Sequence, residues 1–269
     1  MLNKFLRCIL KFFLFCLLTV VTQIGGVVYL LSELFIKRTS QKYRLKKFFL
    51  FILVYSVATF LIVPYTAPLL GRVRIKDTAQ IKAHSVFTKL LNRDYVSPKL
   101  YTALENVAES FQKSNSGVAL VYLDANFPYI NGFPLLPHLS HNDGKKIDVS
   151  FVYEDQYQEI VNKKPSFSGY GVFETPTKYE YNQNKICKQK GNWQYDFTKY
   201  VTLGTVNKDL KFSEKATKDL LLAIIKQKQV NKVFIEPHLK NRFKIQSSKI
   251  RFHGCRAVRH DDHIHLQLR

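Results

Sequence analysis

Acidic side chains are scarce. Twenty Asp and Glu face 41 Lys and Arg in 269 residues, giving a formal charge of +21 at pH 7. The shortage is sharpest in residues 1–76, where Glu33 is the sole acid beside twelve basic residues, a local excess of +11. The remaining 29 basic and 19 acidic residues leave +10 on residues 77–269. Internal repeats and low-complexity tracts are missing, which sets aside solenoids and collagen-like or disordered chains. No recognisable nucleic-acid motif accompanies the charge, so nucleic acid is not an expected partner. Cysteine is rare, with four in the chain. What is abundant is apolar residues, 46% of a chain long enough to bury a core.

Two apolar runs lie inside the basic N-terminal quarter. Phe12 to Ile36 has Glu33 as its one charge, and Phe48 to Leu70 has none. Crossing the hydrocarbon core takes roughly 20 apolar residues, so both runs qualify as spans. The first is too long for a signal-peptide core and lacks a clear cleavage site before Lys37. The stretch between them, Lys37 to Lys47, holds six positive charges and no negative one. The positive-inside rule makes that stretch cytoplasmic and predicts both chain ends on the outer side, against the weaker signal of Lys4, Arg7 and Lys11. Expected domains are therefore 1–76, a transmembrane hairpin, and 77–269, a domain outside the cytoplasmic membrane, on the periplasmic side where there is one. Cys8 and Cys16 belong to the first membrane segment as small apolar residues. Cys187 and Cys255 lie where an oxidising compartment would allow pairing, though the sequence leaves open whether they meet.

The outer region mixes helical and strand patterns without regular alternation, which predicts an α+β fold built on a small antiparallel sheet with flanking helices. Helical spacing runs over Asp77–Leu91. Ser97-Pro98 predicts an N-cap and first turn for a helix over Lys99–Lys113, with Leu100, Leu104, Val107 and Phe111 on one side. Val118–Leu123 and Ile147–Tyr153 read as strands, separated by a Pro/Gly-rich loop. Residues 155 to about 200 read as an ordered insertion or a set of loops over the domain. Ser213 predicts the cap of a helix with a stripe of Ala216, Leu220, Leu221, Ile224 and Ile225. Short strands follow at Lys232–Ile235, Lys249–Phe252 and His263–Leu268.

Histidine placement carries the chemistry. Five of eight histidines fall in two clusters, His138-Leu139-Ser140-His141 and His260-Asp261-Asp262-His263-Ile264-His265. On a strand, His263 and His265 share a face while Ile264 turns away. Asp148 likewise projects opposite Ile147 and Val149, and such a carboxylate needs water, a partner or a metal. Gly144 allows the sharp turn that would bring His141 and Asp148 together. Imidazole nitrogen and carboxylate oxygen suit Zn²⁺, whose catalytic sites use three protein ligands.

His141-x-x-Gly144-x-x-Ile147-Asp148 with His263-x-His265 resembles the zinc peptidases that include lysostaphin-type endopeptidases and D-Ala-D-Ala carboxypeptidases. Within that group it looks most like the penicillin-insensitive murein endopeptidases, through His138-x-Ser140-His141, the His260–His265 run and Lys232–Lys240. The resemblance covers roughly residues 118–154 and 230–268. It implies His141, Asp148 and His265 as Zn²⁺ ligands, and His263 as general base or oxyanion stabiliser, with Asp262 as the competing base. His138 and His260 match further active-site histidines. Lys146 and Leu139 depart from the group's pattern without removing a ligand. Trp193 and Tyr170 read as loop aromatics before a possible groove role, His84 and His238 as solvated residues. Asp143 reads as a loop hydrogen-bonding residue, and Asp261 as an orienter of His260 or His263.

The expectation is a membrane-anchored zinc hydrolase acting on peptidoglycan stem peptides or cross-links. The alternatives are a D,D-carboxypeptidase or dipeptidase on free stem peptides, and a non-catalytic wall-binding module. The sequence leaves the oligomeric state open.

Overall fold

The structure, a computed structural model, describes residues 2–36 and 41–269. Lys37 and Arg38 of the basic stretch lie outside the described residues. In chain order the helices are α1 (Leu2–Thr22), α2 (Gly25–Phe35), α3 (Tyr43–Val57), α4 (Val63–Thr66), α5 (Val86–Leu90), α6 (Pro98–Ser114), α7 (Gln183–Gln189), α8 (Glu214–Lys226) and α9 (Pro237–Arg242). The strands are β1 (Val73–Arg74), β2 (Ile81–Ala83), β3 (Tyr95–Val96), β4 (Leu120–Asp124), β5 (Lys146–Ser150), β6 (Tyr153–Glu154), β7 (Ile160–Val161), β8 (Lys211–Phe212), β9 (Val230–Phe234), β10 (Ile250–Arg251) and β11 (His263–Leu268). The residues form two units: Met1–Ile75 with Phe87–Pro98 and Asn126–Gly144, and Lys76–Val86 with Lys99–Ala125 and Lys145–Arg269.

In the first unit, the run Phe12–Ile36 does not cross as one helix. Thr19 and Thr22 turn their hydroxyls back to the Phe15 and Leu18 carbonyls, 2.8 and 2.7 Å away. Gln23 then takes a left-handed conformation (φ 66°) and ends α1. Thr22 Oγ1 accepts the Gly25 N–H at 2.8 Å, which starts α2. α2 folds back along α1, and Gly26 is required there: a Cβ would stand 2.0 Å from Thr19 Oγ1 and 2.7 Å from the Phe15 carbonyl. Eleven residues at about 1.5 Å each cannot cross a bilayer, so α2 returns part of the way. Glu33 on α2 pairs with both Lys11 of α1 and Lys47 of α3.

Among the described residues, two helical stretches are long and apolar enough to cross a membrane, Lys4–Thr22 and Tyr43–Leu70. Large apolar side chains are exposed along both, including Phe12, Phe13, Phe49, Leu53 and Leu61. The second stretch passes through a π turn, Ala58–Ile62, just before Pro64, whose missing N–H disturbs the helical ladder. Its far end joins the segments from later in the chain. Val63, Ala67 and Tyr95 form a buried cluster with Ile24 and Tyr129 against it. Gln23 Oε1 accepts the Tyr129 N–H at 2.8 Å, and Arg74 holds Asp94 at 2.7 Å.

The second unit is built on a mixed sheet of order β10-β9-β11-β5-β4-β2. Its interior pairs are antiparallel, but β2 pairs parallel to β4 and β10 parallel to β9. This corrects the expected all-antiparallel sheet: each parallel edge follows a crossover, through α6 and through α9 respectively. β2 also replaces the first half of the helix expected over Asp77–Leu91. Thr78 Oγ1 accepts the N–H groups of Gln80 and Ile81, and Asp77 Oδ1 that of Ala83, so side chains outcompete a helix for these donors. β5 stops at Ser150, because Val152 N–H goes to Thr217 Oγ1 of α8, and Tyr153–Glu154 joins β7 and β8 in a separate sheet. The stripes of α6 and α8 bury Leu100, Leu104, Val107, Phe111, Leu220, Leu221 and Ile224, each contributing about 1.5–3 kcal/mol. Ser213 stands at the N-cap of α8 without a side-chain capping bond. The 155–200 insertion is ordered by α7 and a 3₁₀ segment, Trp193–Val201. A Cys187–Cys255 disulfide ties it down, while Cys8 and Cys16 are free.

Candidate metal centre

The strand alternation places the chemistry of the second unit on one face of its sheet. β11 and β5 pair His265 with Asp148, His263 with Ser150 and Ile264 with Val149. His265 and Asp148 are therefore cross-strand neighbours, His263 lies beside them, and the apolar partners turn to the opposite face. Asp124 of β4 pairs with Asp148, and Phe234 of β9 pairs with His265. Four adjacent strands thus present Asp124, Asp148, His265 and Phe234 side by side.

Asp148 is fully buried. Its Oδ1 lies 2.8 Å from His265 Nδ1 and 3.7 Å from His263 Nε2. Its Oδ2 accepts the Tyr170 hydroxyl at 2.9 Å, and the same hydroxyl is 3.3 Å from Asp124 Oδ2. Asp148 with His265, and Asp148 with His263, each belong to a buried His/Asp group that could hold a metal ion. The donor set is one carboxylate oxygen and imidazole nitrogens.

His263 Nδ1 sits 2.5 Å from Asp262 Oδ1, and the other Asp262 oxygen accepts the Gly171 N–H at 2.6 Å. Burial opposes protonation of His263, but the carboxylates of Asp262 and Asp148 outweigh it and push its pKa up to about 9. Tyr170 packs edge-on against the His263 ring, with centroids 5.1 Å apart. His260 is buried 4.9 Å from His263, ring to ring, and its Nδ1 has no hydrogen-bond partner among the described residues. Burial, together with the neighbouring His263, His265 and His253, drives its pKa well down and keeps it neutral.

A second layer of buried groups fixes His260. Glu236 Oε1 accepts the His260 N–H at 3.1 Å, while the Glu236 N–H donates to the His260 carbonyl at 3.1 Å. Tyr195 donates to the other Glu236 oxygen at 2.5 Å, and burial raises the Glu236 pKa to about 7. Asp261 differs from expectation. Its carboxylate bonds Arg259 and Asn184, with His238 Nε2 3.8 Å away, rather than orienting His260 or His263 through a hydrogen bond.

His138 and His141 belong to the first unit, both buried, with ring centroids 5.5 Å apart. Gly144 has the expected positive φ of 75°, and its N–H donates to Asn126 Oδ1. Leu139 is exposed and Lys146 half-buried. Tyr170 is a correction to the loop-aromatic reading, being 4% exposed and bonded to Asp148. Trp193 is indeed an exposed aromatic packed on Phe197. His238, read as solvated, is fully buried beside Asp261 with its Nε2 2.8 Å from the Glu174 carbonyl. His84 bonds the Phe167 carbonyl. Sequence reasoning passed over His253, which stacks on Phe234 at 4.2 Å.

No protein-family model matches the chain, and no curated protein matches it.

Proposed function

We propose that the chain is a membrane-anchored zinc peptidase cleaving amide bonds in peptidoglycan stem peptides or cross-links. The observation that carries this reading is the buried cross-strand pair Asp148–His265 with His263 on the same sheet face. The proposed ligands are Asp148, His265 and His141, the last reached through a six-residue link closed by Gly144. Zinc held there would polarise a scissile carbonyl and make water acidic enough to attack near neutral pH.

The chain's own groups divide the remaining work. His263, held by Asp262 at Nδ1 with its pKa raised, would stabilise the developing oxyanion and give a proton to the leaving amine. Asp262 supports this as an orienting partner, because both its oxygens are already engaged. Neutral His260, locked through its backbone by Glu236, is placed to donate a hydrogen bond to developing negative charge. His138 lines the same proposed centre. Tyr170 holds the second Asp148 oxygen and so fixes the carboxylate's orientation.

The anchor and its sidedness follow from the first unit. Glu33 ties Lys11 and Lys47 together, so the basic ends of α1 and α3 share one level. Lys4, Arg7 and Lys11 then agree with the basic stretch rather than opposing it, and the positive-inside rule assigns that end to the cytoplasm. On this proposed reading the chain start goes with the cytoplasmic end, whereas the sequence alone suggested that both ends lie outside. The Cys187–Cys255 disulfide supports an oxidising compartment for the rest of the chain.

Incubating the detergent-purified full chain with isolated sacculi should release muropeptides. His265→Ala should abolish both release and bound zinc, and unchanged release by that variant would refute the assignment. Consumption of pentapeptide monomers without cleavage of cross-linked dimers would select the carboxypeptidase alternative, and sacculus binding without cleavage the binding module.

A further inference from the structure

The first unit contains a cavity of about 660 Å³ lined from α1, α2 and α3. Its wall is apolar along Leu10, Leu14, Leu18, Phe48 and Phe51. At one end it gathers Arg7, Lys11, Arg44 and Lys47. Glu33 offsets part of that charge by pairing with Lys11 and Lys47, and Lys47 also lies 4.7 Å over the Tyr29 ring. Arg7 and Arg44 are exposed, so the mouth keeps a strong positive excess. Arg7 and Arg44, at the proposed cytoplasmic surface beside the apolar wall, are placed to face an anionic headgroup.

We infer that this cavity is a binding site for an anionic membrane phospholipid. The phosphate sits at Arg7 and Arg44, and one acyl chain lies along Leu10, Leu14, Leu18, Phe48 and Phe51. Charge complementarity selects the occupant: a guanidinium pair matches a phosphate by forked hydrogen bonds, and the apolar wall excludes a free inorganic anion as the main ligand. The inference rests on the membrane reading of α1 and α3 given above.

The full chain would be reconstituted in nanodiscs of phosphatidylcholine carrying a minor share of phosphatidylglycerol. Lipid retained on extraction into neutral detergent would then be quantified by native mass spectrometry. Phosphatidylglycerol should be retained in preference to phosphatidylcholine. Each removed charge near an anionic headgroup is worth about fivefold, so Arg7→Gln with Arg44→Gln should weaken that preference about 30-fold. Leu14→Trp should abolish it by filling the chain slot while leaving every cation in place. Circular dichroism of each variant would show that its helices persist. Retention of the two lipids in proportion to their supply overturns the site alone, as does full retention by Leu14→Trp. Failure of the wild-type chain to enter nanodiscs overturns the membrane reading and the site with it.

Discussion

At the residue scale, the candidate centre is a set of groups whose positions follow from strand alternation. His263, His265 and Asp148 were legible in the sequence because a period of two fixes which side chains share a face. Tyr170 was not, since its approach to Asp148 depends on how the 155–200 insertion folds back over the sheet. Its hydroxyl holds one Asp148 oxygen, and losing such an outer hydrogen bond typically costs 10–100-fold in metal affinity or activity. Tyr170→Phe should therefore weaken zinc binding by about tenfold in a chelator competition while the fold persists. An unchanged affinity would show the hydroxyl to be structural. His263→Ala should lower muropeptide release far more than zinc content. Equal losses, measured by metal analysis beside turnover, would make His263 a ligand instead of the proton carrier.

At the scale of elements, hydropathy and periodicity located most helices and strands but misjudged where side chains take over backbone hydrogen bonds. Thr19, Thr22 and Gln23 split an apolar run that averages as one span, and Thr78 with Asp77 turn a helical spacing into β2. The amphipathic stripes of α6 and α8 were legible because nothing local competes with them. The 155–200 insertion is held by the Cys187–Cys255 bridge across 68 residues. Cys187→Ser should cost about 2–5 kcal/mol, seen as a lower thermal midpoint that reductant reproduces in the wild type. Lys164, buried after β7 with its ammonium on the Phe151 carbonyl, has its pKa lowered to about 7 by burial. The folded chain then binds fewer protons than the unfolded one between about pH 7 and 10.5, so this group makes stability rise with pH across that window. Denaturant titrations should show the rise, and Lys164→Met should flatten it. A slope unaltered by the substitution would contradict the burial argument.

At the scale of the whole molecule, the charge that dominates the composition divides by position. The basic residues around α1 and the start of α3 lie at one end of the first unit, and the proposed membrane reading assigns that end to the cytoplasm. A reporter that fluoresces only in the cytoplasm should work when fused before Met1, and one that needs oxidative folding should work after Arg269. The reverse pattern would overturn the orientation. The central claim is zinc-dependent cleavage of wall peptides, and its most direct test is zinc removal and return on the purified full chain with cross-linked muropeptide as substrate. The account predicts about one Zn²⁺ per chain, activity lost on chelation and restored by zinc, and neither bound zinc nor activity in Asp148→Asn. Cleavage that survives complete removal of the metal would contradict it.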